Sequence, residues 1–136
     1  MNQLISIQNG RKQAPIFSAA EMENRLAKLR TQMAAENIDA VIFTSIHNIN
    51  YYNHFVYWRF GRPHGSVVTQ EKLKSITANI DGGQPWRRGF GENVIFTDWE
   101  KDNYFKAMQQ EVTNSGRVGF GSGRRTMRTE KKLHKA

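Results

Sequence analysis

A helix signal followed at once by an uninterrupted apolar run is the feature that most constrains the fold of this chain. The segment FSAAEM, residues 17–22, is typical of a helix start, because Ser18 is a favourable N-cap residue and Glu21 completes a capping box. Apolar residues then recur at spacings of four, three and four: Met22, Leu26, Leu29 and Met33. This periodicity predicts an amphipathic helix with one buried face. Asn37 suits the left-handed residue that follows such a helix.

The apolar run AVIFT, residues 40–44, predicts a strand that is buried on both faces of its sheet. Further segments are predicted along the chain: a short helix over 46–53, strands over 66–69, 74–78, 93–97 and 117–120, a loop over 79–85, and a helix over 99–114 that Asp98 caps. Helices that alternate with short apolar strands predict an α/β fold around one mixed β-sheet.

Length and composition predict a single soluble domain. The chain has 136 residues, of which 38% are hydrophobic and 24% charged. It contains no cysteine, which excludes disulfides, thiolate metal sites and cysteine nucleophiles. The N-terminal residues lack the apolar core of a signal peptide, and no apolar run approaches the ~18 residues of a membrane span. We therefore expect a cytoplasmic protein with no membrane partner.

The net charge of +8 raises the question of nucleic-acid binding. Much of that charge lies in residues 121–136, GSGRRTMRTEKKLHKA, which hold six Lys or Arg and one Glu. Residues 1–120 are only mildly basic, with 14 basic and 11 acidic side chains. A charge run at a chain end is more often a solvated tail, so binding to nucleic acid ranks last among the functions considered and we expect no such partner.

Metal-binding patterns are absent from the sequence. The histidines have no H-E-x-x-H or other ligand spacing, and we interpret them as surface or turn residues: His47, His54, His64 and His134. The glycines after residue 115 match neither of the phosphate-binding spacings. We therefore expect neither a metal ion nor a cofactor.

Two charged clusters have ordinary structural explanations. Asp98, Glu100 and Asp102 could supply paired carboxylates for acid–base catalysis. The first turn of the predicted helix explains them better, because the helix dipole favours negative charge there. The stretch Trp86-Arg87-Arg88 is interpreted as a solvated arginine pair, with anion binding beside the indole ring as the alternative.

The stretch YWRFGRPHG, residues 57–65, combines aromatic rings and arginines with turn-forming residues. Gly61 permits a sharp bend and Pro63 restricts the exit from it, so Phe60 and Arg62 are expected on a stiff turn. A guanidinium there can bind a planar carboxylate through two hydrogen bonds, while the ring supplies an apolar wall. From the residues alone, two explanations are about equally favoured. One is a binding site for a small anionic ligand or a partner-chain carboxylate, and the other is a purely structural turn.

Four stretches together resemble the creatinases, the creatine amidinohydrolases of the "pita-bread" superfamily. They are AAENIDAVIFTSIHNINYYNHF (34–55), FGRP (60–63), ANIDGGQPWRR (78–88) and NVIFTDWEKDNYF (93–105). FSAAEMENRLAKLR (17–30) fits the N-terminal helix of the same family. The sequence departs from the family pattern at Trp58, Arg59 and His64, and the match is poor after Phe120.

The resemblance implies a domain organisation and a fold. Residues 1–16 are a loose lead-in or an edge strand. Residues 17–120 form a single creatinase N-terminal-type domain, a ribonuclease H-like α/β fold with a mixed sheet flanked by helices. Residues 121–136 are a basic tail that is truncated or divergent relative to the family.

The resemblance also implies a function. Creatinases hydrolyse creatine to sarcosine and urea without a metal ion, and their catalytic residues belong to a C-terminal domain that this chain lacks. The family is homodimeric, and its N-terminal domain completes the neighbouring subunit's site. Phe60 and Arg62 are therefore expected to bind substrate, no catalytic residue is expected here, and the chain alone is expected to be inactive. A non-catalytic binding or oligomerisation module of the same fold is the alternative.

Overall fold

The order of helices and strands follows the sequence expectation through most of the chain. The structure, a computed structural model, describes residues 4–55, 62–98 and 101–121. The helices in these ranges are α1 (Ala19–Ala35), α2 (Ile46–Asn53), α3 (Gln84–Arg88) and α4 (Asn103–Val112). The strands are β1 (Ile5–Ser6), β2 (Ala40–Phe43), β3 (Gly65–Thr69), β4 (Leu73–Ala78), β5 (Glu92–Phe96) and β6 (Val118–Phe120). None of these helices is long and apolar enough to cross a bilayer.

The strands form one mixed sheet in the order β1-β5-β4-β3-β2-β6. Strands β2, β3 and β4 are antiparallel neighbours, whereas β4–β5 and β2–β6 are parallel pairs. The short strand β1 adds an antiparallel edge beside β5, so part of the N-terminal lead-in is an edge strand. The predicted α/β class with one mixed sheet is confirmed.

The first helix forms as its sequence predicts. The Ser18 hydroxyl accepts a hydrogen bond from the Glu21 backbone N–H at 3.1 Å, which satisfies one of the free donors at the helix start. Three of the four residues of the predicted apolar face are buried and Leu29 is partly buried. Asn37 adopts the left-handed conformation with φ 55°, and the Ile38 N–H then donates to the Met33 carbonyl at 2.8 Å. The local sequence therefore predicted both the start and the end of this helix.

The core lies on both faces of the sheet because side chains alternate along each strand. On one face, α4 and the strands together form a buried cluster: Ala40, Ile42, Val67, Ile76, Ala78, Val94, Phe96, Tyr104, Ala107 and Met108. On the other face, α1 and α2 contribute to a second cluster: Leu26, Met33, Val41, Phe43, Ile49, Val68 and Leu73. Strand β2 supplies residues to both clusters, which explains its unbroken apolar sequence.

The predicted start of the last helix is wrong. Helix α4 begins at Asn103 rather than at residue 99, and Asp98 does not cap it. Asp98 and Asp102 both have positive φ, 47° and 60°, so the backbone leaves the right-handed helical region twice before α4 begins. Asp98 and Asp102 therefore precede the helix instead of occupying its first turn. Glu100 lies outside the described residues.

The predicted loop over residues 79–85 is also wrong in part. It contains a 3₁₀ turn, Asn79–Asp81, and the first residues of α3. The Gly82 N–H donates to the Asn79 carbonyl at 3.0 Å, and Gly83 has φ 91°, a conformation that glycine adopts without strain. The Gly-Gly-x-Pro sequence therefore ends one short helical element and starts another, since Pro is favourable in the first helical turn.

Candidate functional site

Arg62 lies at the edge of the sheet that is formed by strand ends, at the point where β3 begins and β4 ends. Gly65 pairs with Ile76 in the antiparallel β3–β4 ladder, so the residues before β3 and those after β4 meet at one edge. Asp81, the last residue of the 3₁₀ turn after β4, accepts a hydrogen bond there from Arg62. The distance between Arg62 Nε and Asp81 Oδ2 is 3.2 Å.

The Arg62–Asp81 ion pair is largely shielded from water. The exposed fraction is 21% for the Arg62 side chain and 11% for that of Asp81. An isolated carboxylate at such a site would carry a large desolvation cost, so the guanidinium partner accounts for its presence. The remaining exposure of Arg62 leaves its side chain in contact with solvent at this edge.

Phe60, the second predicted site residue, lies outside the described residues, as do Trp58 and Arg59. The structure therefore places Arg62 but not its predicted aromatic partner.

The interpretation of His64 as a surface or turn residue is wrong, because its exposed fraction is 1%. It directly precedes β3, and its backbone carbonyl accepts a hydrogen bond from the Tyr104 hydroxyl at 3.2 Å. His54 ends α2 with φ 54°, and its Nε2 accepts a hydrogen bond from the Ile16 backbone N–H at 2.7 Å. His47 is exposed, and His134 lies outside the described residues.

A lysine that the sequence did not single out binds the end of α3. The Lys12 ammonium donates to the backbone carbonyls of Trp86, Gly89 and Gly91 at 2.9, 3.0 and 3.1 Å. It also lies 3.9 Å from the centroid of the Trp86 ring, a favourable cation–π geometry. Burial lowers the pKa of Lys12 below its usual value, while the Glu92 carboxylate opposes that shift. Only the tertiary structure shows this contact, because 74 residues separate Lys12 from Trp86.

The interpretation of Trp86-Arg87-Arg88 as a solvated arginine pair holds for one of the two arginines. Arg87 Nη1 donates to Asn9 Oδ1 at 3.2 Å, and the Arg87 carbonyl accepts from the Gln13 N–H at 2.6 Å. Arg88 is exposed. The N-terminal segment thus holds α3 in place, and α3 follows directly on the turn that carries Asp81.

A surface groove of about 590 Å³ lies at the opposite edge of the sheet, next to the β3–β4 turn and the end of α4. Lys74 and Glu111 both line it and form an ion pair at 2.8 Å. The Asp39 carboxylate, also in its wall, accepts hydrogen bonds from the Gly116 and Arg117 N–H groups. Glu71 and Lys72 also line the groove, so its wall carries charges of both signs. The residue that the sequence predicts to bind an anion, Arg62, lies at the other end of strands β3 and β4.

The described residues contain no group of three or more His, Cys, Asp or Glu side chains that could hold a metal ion. Arg62 can bind an anion through charge-assisted hydrogen bonds. Asp81 is engaged with that guanidinium, which makes it a poor candidate for proton transfer. The chemistry that this edge of the sheet supports is recognition of a negatively charged group.

Comparisons with known proteins agree with this architecture. Over 119 residues the chain is 52% identical to creatinase from Bacillus sp. (strain B-0618), a match that covers 87% of this chain and 28% of that protein. The chain therefore spans only about a quarter of the length of this relative.

Solved structures show the same fold at low sequence identity. The N-terminal domain of an X-Pro dipeptidase from Streptococcus pyogenes matches with a TM-score of 0.70 at 12% identity, covering 82% of this chain and 86% of that chain. An Xaa-Pro dipeptidase from Bacillus anthracis matches with a TM-score of 0.68 at 16% identity, covering 85% of this chain and 31% of that chain. At this level of identity the likeness establishes the fold alone.

The family model that describes the creatinase/prolidase N-terminal domain matches residues 25–136. This match includes most of the described structure from α1 onward and continues through residues 121–136. With the mixed sheet, the helices on both of its faces and the matching solved domains, it shows that this chain belongs to the creatinase/prolidase N-terminal domain family.

Proposed function

We propose that this chain acts as the N-terminal domain of a creatine-hydrolysing enzyme and recognises the carboxylate of the substrate through Arg62. The observation that carries the proposal is the Arg62–Asp81 ion pair, which holds a guanidinium at the sheet edge with part of its side chain exposed. The 52% identity to a creatinase supports creatine as the substrate.

Carboxylate recognition is a task that Arg62 performs well. A guanidinium is planar, stays charged at all physiological pH values and matches the geometry of a carboxylate. The ring of Phe60 supplies the apolar wall beside the bound substrate. Hydrolysis itself requires water to attack the amidino carbon of creatine, which releases sarcosine and urea. The groups that transfer protons in this step belong to a catalytic domain outside this chain.

The proposal assigns the chain a protein partner as well as a ligand. Creatine binds only when the catalytic domain is present, because Arg62 and Phe60 form part of the site and contribute no catalytic group. The domain also supplies contacts between subunits of a homodimer, and the assembled enzyme works in the cytoplasm. The reaction is proposed to proceed without a cofactor.

A fusion protein provides the test. This chain would replace the matching N-terminal portion of Bacillus sp. creatinase, and creatine hydrolysis would be followed by urea release. The isolated chain should release no urea, whereas the fusion should. Arg62→Ala in the fusion should raise KM roughly ten- to hundred-fold, because a lost charge-assisted contact costs about 1.5–3 kcal/mol.

Arg88→Ala is the matched control, because Arg88 is exposed. Its KM should stay within about two-fold of the parent fusion, as expected for a surface substitution. An unchanged KM in Arg62→Ala would remove Arg62 from the site. Turnover by the isolated chain would contradict the need for a second domain. A fusion that folds and dimerises but has no activity would favour the alternative, a non-catalytic binding or oligomerisation module.

A further inference from the structure

We propose that Asp81 is the positioning residue of this site: it orients the guanidinium of Arg62 for the incoming carboxylate. The inference rests on the proposed role of Arg62 and adds a second residue to it, from a different part of the chain. Asp81 touches Arg62 through the 3.2 Å contact at Nε and is not itself expected to touch the substrate.

The position of the contact on the guanidinium determines how Arg62 is oriented. Nε lies on the side of the guanidinium, next to the aliphatic stem, and the terminal edge formed by Nη1 and Nη2 is directed away from it. A carboxylate held at Nε therefore restricts rotation of the planar group and points the terminal edge away from Asp81. Such an oriented edge binds a second carboxylate with less loss of side-chain entropy than a mobile arginine would.

The backbone on both sides of the pair is well placed to hold this orientation. Asp81 ends a 3₁₀ turn that is closed by the hydrogen bond from Gly82 to Asn79. On the other side, Pro63 follows Arg62, and its ring fixes φ two residues before β3 begins at Gly65. The two residues are thus joined to the ends of adjacent antiparallel strands through short segments.

The charge of Asp81 has two opposite effects on carboxylate binding, and they can be separated by experiment. Considered as charge alone, Asp81 opposes binding, because it neutralises Arg62 and repels a second carboxylate. Considered as a positioning group, it favours binding, because it pre-organises the guanidinium. Replacing Asp81 with Asn removes the charge and weakens the ion pair, so the two effects predict changes in KM of opposite sign.

A second ion pair offers a matched control. Lys74 and Glu111 lie 2.8 Å apart with exposed fractions of 18% and 16%, similar to those of Arg62 and Asp81. That pair joins β4 to α4 at the opposite edge of the sheet. Breaking it with Glu111→Gln tests the general cost of losing a partly buried ion pair, without altering the proposed site.

The experiment begins with the full chain in solution. The 15N relaxation of the Arg62 Nε–Hε group should show a restrained side chain, and Asp81→Asn should lower its order parameter clearly while Glu111→Gln leaves it unchanged. An order parameter that is equally high in Asp81→Asn would overturn the positioning role. This measurement needs no substrate, so its outcome does not depend on the proposed function.

The second arm uses the fusion protein and creatine. Asp81→Asn should raise KM about three- to ten-fold with little change in kcat, a coupling within the range seen for contacting residues. The double variant Arg62→Ala/Asp81→Asn should have the KM of Arg62→Ala alone, because Asp81 acts only through Arg62. Asp81→Glu, which retains the charge, should recover part of the loss and also serves if Asp81→Asn does not fold.

Each result of the second arm decides a different claim. A KM that falls or stays constant in Asp81→Asn, while Arg62→Ala raises it, would overturn the positioning role and leave the proposed function intact. Additive increases in the double variant would show that Asp81 acts by another route and would also overturn it. An unchanged KM in Arg62→Ala would instead overturn the proposed function, and with it any role of Asp81 in substrate binding.

Discussion

The two faces of the sheet differ in chemistry although both are buried. The face against α4 carries a buried cluster of aliphatic and aromatic side chains, and the Lys74–Glu111 ion pair joins the same face to the helix. The opposite face combines an apolar cluster with a row of buried polar residues on three adjacent strands. Ser66 pairs with Ser75, and Ser75 pairs with Asn93, so the row runs directly across β3, β4 and β5.

The polar row satisfies much of its hydrogen bonding within the sheet itself. The Asn93 amide nitrogen lies 3.1 Å from Thr77 Oγ1 and 3.2 Å from Ser75 Oγ. Ser66 donates to the Lys74 carbonyl and Ser75 to the Glu92 carbonyl, at 3.1 and 3.2 Å. Buried polar groups are tolerated when they have such partners. The α4 face therefore contributes mainly hydrophobic stability, whereas the polar row favours one strand register over its alternatives.

The largest effect should come from the apolar face. Met108 is completely buried between α4 and the sheet, so Met108→Ala removes buried methylene groups and leaves a cavity. We expect a loss of about 2–5 kcal/mol in the free energy of unfolding, measured by urea denaturation. Lys106→Ala on the exposed side of the same helix is the control and should change stability by less than about 0.5 kcal/mol. A similarly small loss in Met108→Ala would show that the α4 face does not owe its stability to hydrophobic packing.

An intermediate effect is expected from the polar row. Asn93→Leu has nearly the same volume but cannot donate to Ser75 and Thr77, which leaves these buried groups with fewer partners. The free energy of unfolding should fall by about 1–3 kcal/mol. Asn114→Leu, at an exposed position, is the matched control. If Asn93→Leu were as stable as the parent chain, the polar row would have no role in specifying the sheet.

The smallest effect is a pH dependence of stability that comes from Tyr52, which packs on the sheet face opposite α4. Burial, and to a lesser degree the neighbouring Tyr51, raises the pKa of Tyr52 above its usual value of 10.0. Because the folded state favours the neutral phenol, this contribution to stability is fully present below pH 10.0 and is lost as the pH rises through the folded-state pKa.

Tyr52→Phe removes this titration and isolates its contribution. The parent chain should lose stability more steeply than the variant when urea midpoints are compared above about pH 10. Tyr51→Phe should reduce the alkaline loss of stability only slightly, because the exposed Tyr51 is the smaller of the two causes of the raised Tyr52 pKa. Parallel pH profiles for the parent chain and Tyr52→Phe would show that burial of Tyr52 does not influence stability in this range.

The candidate site was only partly predictable from the sequence. Arg62 was identified because an arginine beside Gly and Pro suggests a rigid turn, and the resemblance to creatinases implied its role. Its partner Asp81 was missed, since 19 residues separate the two and Asp81 lies in a segment predicted to be a loop. Lys12 was also missed, because its partner Trp86 is 74 positions away and the polar N-terminal segment has no periodicity that would indicate a partner.

Elements whose signals lie within a few residues of one another could be predicted from the sequence. The capping box and the apolar periodicity specify α1, and the unbroken apolar run specifies β2, because caps and side-chain alternation act locally. Contacts between distant groups are visible only in the folded chain: Arg62 with Asp81, Lys12 with the end of α3, and the polar row across three strands. These contacts depend on strand order and register, which arise only when the whole chain buries its apolar surface together.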